Sequence, residues 1–167
     1  MMEGLVEKRP LRPTLGNEMN IAALQARAAM LSISPGTNDL VFFSGKRFGE
    51  AYAKSLDKKD EMRKGLDAWA EYMKANKIAV PEVASCDGKA CIVRMRECAF
   101  SHGMPSLGLL VCQFDAGFLA GFLGVYTGGQ YCVRETKCNA NGDDYCEFVV
   151  REYKAAEAFE EAFGRKG

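Results

Sequence analysis

Four residues in the last third of the chain have the types and spacing of a metal site. They are Cys112, Glu135, Cys138 and Cys146, in the pattern Cys112-x22-Glu135-x2-Cys138-x7-Cys146. Three soft thiolate donors and one harder carboxylate suit a tetrahedral zinc ion. The pattern has no Cys-x2-Cys pair, so cysteine arithmetic alone suggests the site without specifying it. Cys112 opens a predicted helix, where free N–H groups and the helix dipole favour a thiolate. Two other readings stay open: an ordinary buried cysteine at 112, and a Cys138–Cys146 disulfide across a hairpin.

The remaining reactive residues form no comparable pattern. Cys86, Cys91, Cys98 and Cys132 have no ligand spacing and are expected as small apolar residues, most of them buried. His102, the only histidine, lies in Ser101-His102-Gly103-Met104-Pro105. No serine–carboxylate arrangement surrounds it, so it reads as a loop residue and not as part of a triad. No glycine-rich dinucleotide fingerprint follows a predicted strand, so the chain supplies no hydride carrier of its own.

The elements that must position these residues can be read from periodicity. Residues 1–16, with Pro10 and Pro13, read as an extended arm, and 17–167 as a single domain. Helices are expected over 17–32, 39–56 and 58–77, the first and third with apolar positions at helical spacing and the second with Asn38 or Thr37 as its cap. In the second of these, Gly45 and Gly49 share one face, and each costs about 1 kcal/mol of helix propensity. A close approach by another helix or a ligand is needed to offset that cost. In the third, Met62, Leu66, Trp69 and Met73 form the apolar stripe, with Trp69 read as core.

Strands are expected at 78–86 and 89–97, joined by the turn signal Asp87-Gly88. Alternation turns Cys91, Val93 and Met95 to one face and Arg94 and Arg96 to the other. A helix over 111–125 is apolar nearly all round and so central, with Gly117, Gly121 and Gly124 thinning one side. Its stripe Phe114, Phe118 and Phe122, with Tyr126, suits a core or a cavity wall. A second hairpin is expected at 130–137 and 144–151, around residues 139–142. A four-residue loop there would set Glu135 opposite Cys146. Cys138 is then out of phase, and a bulge is needed to turn it inward. A short helix over 153–163 closes the order α-α-α-β-β-α-β-β-α. Strands in hairpin pairs imply an α+β fold, an antiparallel sheet packed against helices.

Composition narrows the functional classes. Of 167 residues, 48% are hydrophobic and 26% charged, as in an ordinary globular domain. Lysine plus arginine and aspartate plus glutamate both number 22, so no basic excess points to nucleic acid. The N-terminus lacks the apolar core of a secretory signal. With an odd cysteine count of 7, this favours a reducing cytoplasm over a disulfide framework. The longest apolar stretch, 107–126, contains Gln113, Asp115 and several glycines, and is not expected to span a membrane.

The segments Cys112-Gln-Phe-Asp-Ala-Gly117-Phe-Leu-Ala-Gly121, Thr127-Gly128-Gly129, Val133-Arg-Glu135-Thr-Lys-Cys138 and Gly142-Asp-Asp-Tyr-Cys146-Glu-Phe148 resemble the 4-vinyl reductase domain family. Leu15-Gly16 and the stretch from Gly45 to Gly49 are similar to it as well. The likeness runs over about residues 9–151. It implies a fold shared with transport-particle (TRAPP) subunits and nitric-oxide-sensing haem domains, commonly dimeric. It implies a small-molecule binding module, used as the sensor in aromatic-responsive transcription activators. In those sensors the cysteine opening the central helix and the Glu-x2-Cys-x7-Cys hairpin bind zinc, which places the ligands here on Cys112, Glu135, Cys138 and Cys146. The pocket implied lies between the central helix and the sheet, with Cys91, Met95, Phe122 and Val133 as expected lining.

The sensor proteins continue into ATPase and helix-turn-helix domains. These 167 residues contain no Gly-x4-Gly-Lys-Ser/Thr motif, so the chain is expected to report by another route or to carry the ligand itself. The expected function is a cytoplasmic, homodimeric, zinc-stabilised module that binds an apolar or aromatic molecule and is not an enzyme. Two alternatives stand beside it: a reductase or accessory protein acting on a tetrapyrrole vinyl group, and a protein-interaction scaffold.

Overall fold

The computed structural model describes residues 12–15, 37–87 and 90–152. The elements in order are α1 (Thr37–Ser55), α2 (Met62–Ala75), β1 (Val80–Cys86), β2 (Ala90–Arg96), α3 (Gln113–Thr127), β3 (Tyr131–Lys137), a 3-10 turn (Asn139–Asn141) and β4 (Cys146–Glu152). This is the expected α+β order. The expected helices over 17–32 and 153–163, and Gly88 of the first turn, lie outside the described residues.

The sheet has four antiparallel strands in the order β1-β2-β4-β3. Its two hairpins therefore meet along β2 and β4, with α3 as the connection between them. Alternation places Cys91, Val93 and Met95 of β2 on the inner face with Tyr131, Val133 and Glu135 of β3 and Cys146, Phe148 and Val150 of β4. All nine are buried. On the outer face Arg94 pairs with Glu147 at 3.0 Å, and Arg94 and Lys137 lie over the Tyr145 ring.

The two glycine pairs explain how α1 and α3 come together. A Cβ on Gly45 would overlap the carbonyl oxygen of Phe114, and one on Gly49 that of Phe118. Reciprocally, a Cβ on Gly117 or Gly121 would overlap the carbonyl oxygens of Phe42 or Lys46. The helices interlock backbone to backbone, which repays the helix-propensity cost expected from the sequence. The order of these contacts makes α1 and α3 parallel. Gly128, at φ 80°, ends α3, its N–H donating to the Gly124 carbonyl at 3.1 Å.

The third expected helix is shorter than the expected 58–77, running over Met62–Ala75, which holds its whole apolar stripe. Glu61, in an extended conformation, is its N-cap, and Lys77 takes φ 55° beyond its end. Residues 13–15 form a turn, and the described part of the arm is docked. Arg12 is buried, and its guanidinium donates to the carbonyls of Glu97 at 2.8 Å and Ile78 at 3.1 Å. Glu97 in turn accepts the N–H groups of Thr14 and Leu15.

One cysteine expectation is corrected. Cys86 and Cys91 form a disulfide, since the register of β1 on β2 sets them directly opposite with Cα atoms 4.1 Å apart. Spacing held no sign of this because hairpin register depends on how the strand ends pair. Among the described residues, no helix is long and apolar enough to cross a membrane.

Candidate metal centre and its apolar surroundings

Cys112, Glu135, Cys138 and Cys146 come together. All four are buried, and one donor atom from each lies within 4.8 Å of the others. Three elements converge to build the cluster. Cys112 occupies the N-cap of α3, Glu135 sits on β3, and Cys146 begins β4.

The register differs from the expected one. Glu135 pairs with Phe148 and not with Cys146, because the connection runs through the 3-10 turn and further residues before β4 starts. The bulge needed for Cys138 is present: the register shifts between Glu135 and Lys137, where two steps along β3 match one along β4. That extra residue reverses the phase of β3 and turns Cys138 inward, where it is fully buried. Asp143 holds it there by accepting the Cys138 N–H at 2.9 Å. Cys138 and Cys146 are separate thiols with Sγ atoms 3.9 Å apart.

The sulfur triangle has the dimensions of a thiolate metal site. Cys112 Sγ lies 3.6 Å from Cys146 Sγ and 3.9 Å from Cys138 Sγ. A tetrahedron with metal–sulfur bonds of ~2.3 Å has sulfur–sulfur edges of about 3.8 Å. The carboxylate is oriented for the same task. Glu135 Oε2 accepts the Cys112 N–H at 3.0 Å and the Gln113 side-chain amide at 3.1 Å. Its other oxygen, Oε1, is buried with no hydrogen-bond partner among the described residues. A buried acceptor left unpaired is costly, and a cation satisfies it.

The electrostatics follow from crowding these groups out of water. Burial, and then the neighbouring Cys138 thiolate, push the Glu135 carboxyl up to about 10. Hydrogen bonds from the Cys112 and Cys146 thiols pull Cys138 down to about 2. Cys112 is held well above the ordinary thiol range by its bonds to Cys138 and Cys146. Protons are thus shared within a set of mutually repelling donors, and a divalent cation reverses that balance.

Two residues of the cluster escaped the sequence reading. Cys98, expected as an inert buried cysteine, lies with its Sγ 3.5 Å from that of Cys112. Ser101, fully buried, places its hydroxyl 3.0 Å from Cys146 Sγ. No spacing rule links either to the four donors. The turn after β2 brings them in: the Cys98 carbonyl accepts the N–H groups of Ser101 at 3.3 Å and His102 at 2.8 Å. Cys132, by contrast, is exposed on the outer face, away from Glu135 as alternation required.

The expected lining residues Cys91, Met95, Phe122 and Val133 are all buried in one core cluster between α3 and the sheet. The disulfide occupies the sulfur of Cys91. Phe122 stacks on Tyr126 at 5.2 Å and on Tyr52 at 5.6 Å between ring centroids. Phe118 meets Phe48, Tyr72 and Trp69 edge-on. Trp69 is core, as expected, but its indole Nε1 has no hydrogen-bond partner among the described residues.

Comparison with known proteins places this arrangement in context. The model of the 4-vinyl reductase domain matches residues 91–152. An uncharacterised protein of Methanocaldococcus jannaschii, MJ0150, is 31% identical over 151 residues, covering 90% of this chain and 86% of that one. Two solved structures share the fold. The phenol-responsive sensory domain of the transcription activator PoxR, with phenol, aligns with a TM-score of 0.59 at 15% identity, over 90% of this chain and 83% of that one. Trafficking protein particle complex subunit 3 from Naegleria fowleri, covalently bound to palmitic acid, aligns with a TM-score of 0.66 at 14% identity, over 81% and 95%.

Proposed function

The chain belongs to the 4-vinyl reductase domain family, and from that premise we propose that it is a binding module for an apolar or aromatic small molecule, stabilised by zinc. The ligand lies between α3 and the inner face of the sheet, on a floor of Cys91, Met95, Phe122 and Val133. The observation that carries this reading is the Trp69 indole. Its N–H is buried beside the Phe118 ring with no acceptor among the described residues, a situation native cores avoid. A phenol or carbonyl oxygen on an otherwise apolar ligand supplies that acceptor, and an apolar pocket with one oriented polar group is the usual form of a small-ligand site. The phenol bound to the PoxR sensory domain, on the same fold, is consistent with this chemistry.

The zinc ion belongs to Cys112, Glu135, Cys138 and Cys146. Four protein ligands leave no open position, so its role is to tie the start of α3 to the second hairpin. The module is one domain, residues 17–167, preceded by the arm 1–16, and acts as a homodimer. A cytoplasmic setting suits the five cysteines that form no disulfide. It binds without catalysing: among the described residues the floor is apolar, Cys91, Met95, Phe122 and Val133 all lying in the core cluster.

The test is a ligand panel read by calorimetry, with phenols and carbonyl compounds set against hydrocarbons of equal size. Trp69→Phe should weaken the oxygen-bearing ligands about tenfold, one hydrogen bond's worth, and leave the hydrocarbons unchanged. If no apolar compound binds the wild-type protein, the reading fails.

A further inference from the structure

The metal cluster has more donors than one tetrahedral ion uses. Cys98 and Asp115 are both buried beside Cys112, and neither belongs to the four-donor set. Cys98 Sγ lies 3.5 Å from Cys112 Sγ and 3.8 Å from Asp115 Oδ2. One donor atom from each of the three lies within 4.8 Å of the others.

We propose that Cys98, Cys112 and Asp115 form a second soft-metal position, sharing the Cys112 thiolate with the first, so that the chain holds a thiolate-bridged pair of divalent ions. This rests on the metal reading of the first position.

The distances suit such an ion. Metal–sulfur bonds of ~2.3 Å and metal–oxygen bonds of ~2.1 Å give tetrahedral S···S and S···O edges of about 3.8 and 3.6 Å. The placement has a local cause. Asp115 stands three residues after Cys112 in the first turn of α3, so both project from one side of the helix start. Cys98 reaches them from the turn after β2, where Glu97 takes φ 53°. A thiolate sulfur has lone pairs for two ions, and Cys112 is the donor common to both sets. A second divalent ion with two new anionic ligands adds no net charge to the cluster. Thiolate ligands direct the choice towards thiophilic ions, and three protein donors leave one coordination place open.

The test uses cadmium alone. Metal-free full-length protein, kept reduced and anaerobic, is titrated with Cd2+ and its stoichiometry read by native mass spectrometry. Sulfur-to-metal charge-transfer absorbance follows the same titration. Two ions per chain are expected for the wild type, and one for Cys98→Ser and for Asp115→Asn. If Cys98→Ser does not fold, the isosteric Asp115→Asn decides. A wild type that saturates at one ion overturns the second position and leaves the first intact. Two ions in both variants also overturns it, because the second ion then lies elsewhere. A wild type that binds none overturns both positions.

Discussion

Cys112 Sγ and Cys146 Sγ lie 3.6 Å apart although 34 residues separate them, one at the start of the central helix and the other at the first residue of the last strand. Everything between them, a whole helix and one strand, is a loop closed by that contact. A metal bound there links the two layers of the fold, so its removal should weaken the whole molecule and not one segment. Cys146→Ser should lower stability by about 3 kcal/mol. That corresponds to a melting temperature lower by about 6–12 °C for a chain of this size. The melting temperature of the wild type should fall similarly with a chelator, while the variant should respond little.

The carboxylate ligand is expected to act on stability and not on chemistry. Glu135→Gln keeps the Oε2 position as an acceptor for the Cys112 N–H but removes the charge. Metal affinity should fall by more than the about 10–100-fold that losing a partner of a metal ligand costs, while ligand binding by the folded protein persists. A turnover activity lost in folded, metal-loaded Glu135→Gln protein would falsify the binding-module reading.

The helix interlock separates glycines that only look alike in sequence. Gly45→Ala or Gly121→Ala drives a methyl group into a backbone carbonyl of the facing helix, which cannot move aside as a side chain would. Each should cost about 3 kcal/mol, at the upper end for overpacking. At Gly124 the nearest atom to an added Cβ is 3.6 Å away. Gly124→Ala should therefore be neutral or gain up to about 1 kcal/mol from helix propensity. Urea unfolding of the three variants measures the contrast.

Acid should loosen the docked arm. Burial raises the Glu97 carboxyl, but the hydrogen bonds from Thr14 and Leu15 and the Arg12 guanidinium outweigh it and hold it below its ordinary value. A carboxylate lowered in the folded state stabilises above its unfolded pKa of ~4.3, and that stabilisation is lost as pH falls through the folded value. From about pH 5 down to about pH 3, the wild type should therefore lose more stability than Glu97→Gln. Equal loss in the two proteins, measured by urea midpoints, would remove Glu97 from the acid response.

The exposed face of α1 offers a check on assembly. Leu40 and Phe43 are 68% and 59% exposed, unusual for large apolar side chains one turn apart. Light scattering at micromolar concentration should give twice the chain mass of 18.3 kDa. Phe43→Asp should give the chain mass itself. A wild-type monomer ends the dimer proposal.

The sequence by itself determined the local content of this protein. Alternation in β2 and β3 assigned the inner and outer residues correctly, down to Cys132 facing away from Glu135. Helical spacing and a capping signal located α1, α2 and α3, and Gly45 and Gly49 announced a close approach. The cluster of Cys112, Glu135, Cys138 and Cys146 was legible because three of them fall within one short hairpin and the fourth opens a helix. Even the bulge at Cys138 followed from counting phase along a strand.

Only the tertiary structure decided which distant groups meet. Gly45 required a neighbour, but that the neighbour is the backbone at Phe114 depends on how α1 lies on α3. The register of Glu135 on Phe148 depends on the conformation of the hairpin connection, which folds into a 3-10 turn over Asn139–Asn141, with Asp143 accepting the Cys138 N–H just before it. The same holds for Cys98, brought to Cys112 across 14 residues by a turn with no motif, and for the Cys86–Cys91 disulfide. Periodicity reports the direction of a side chain within one element, where neighbours are three or four residues apart. What that side chain touches is set by the packing of elements on one another, and the Trp69 indole without an acceptor is visible only once that packing is complete.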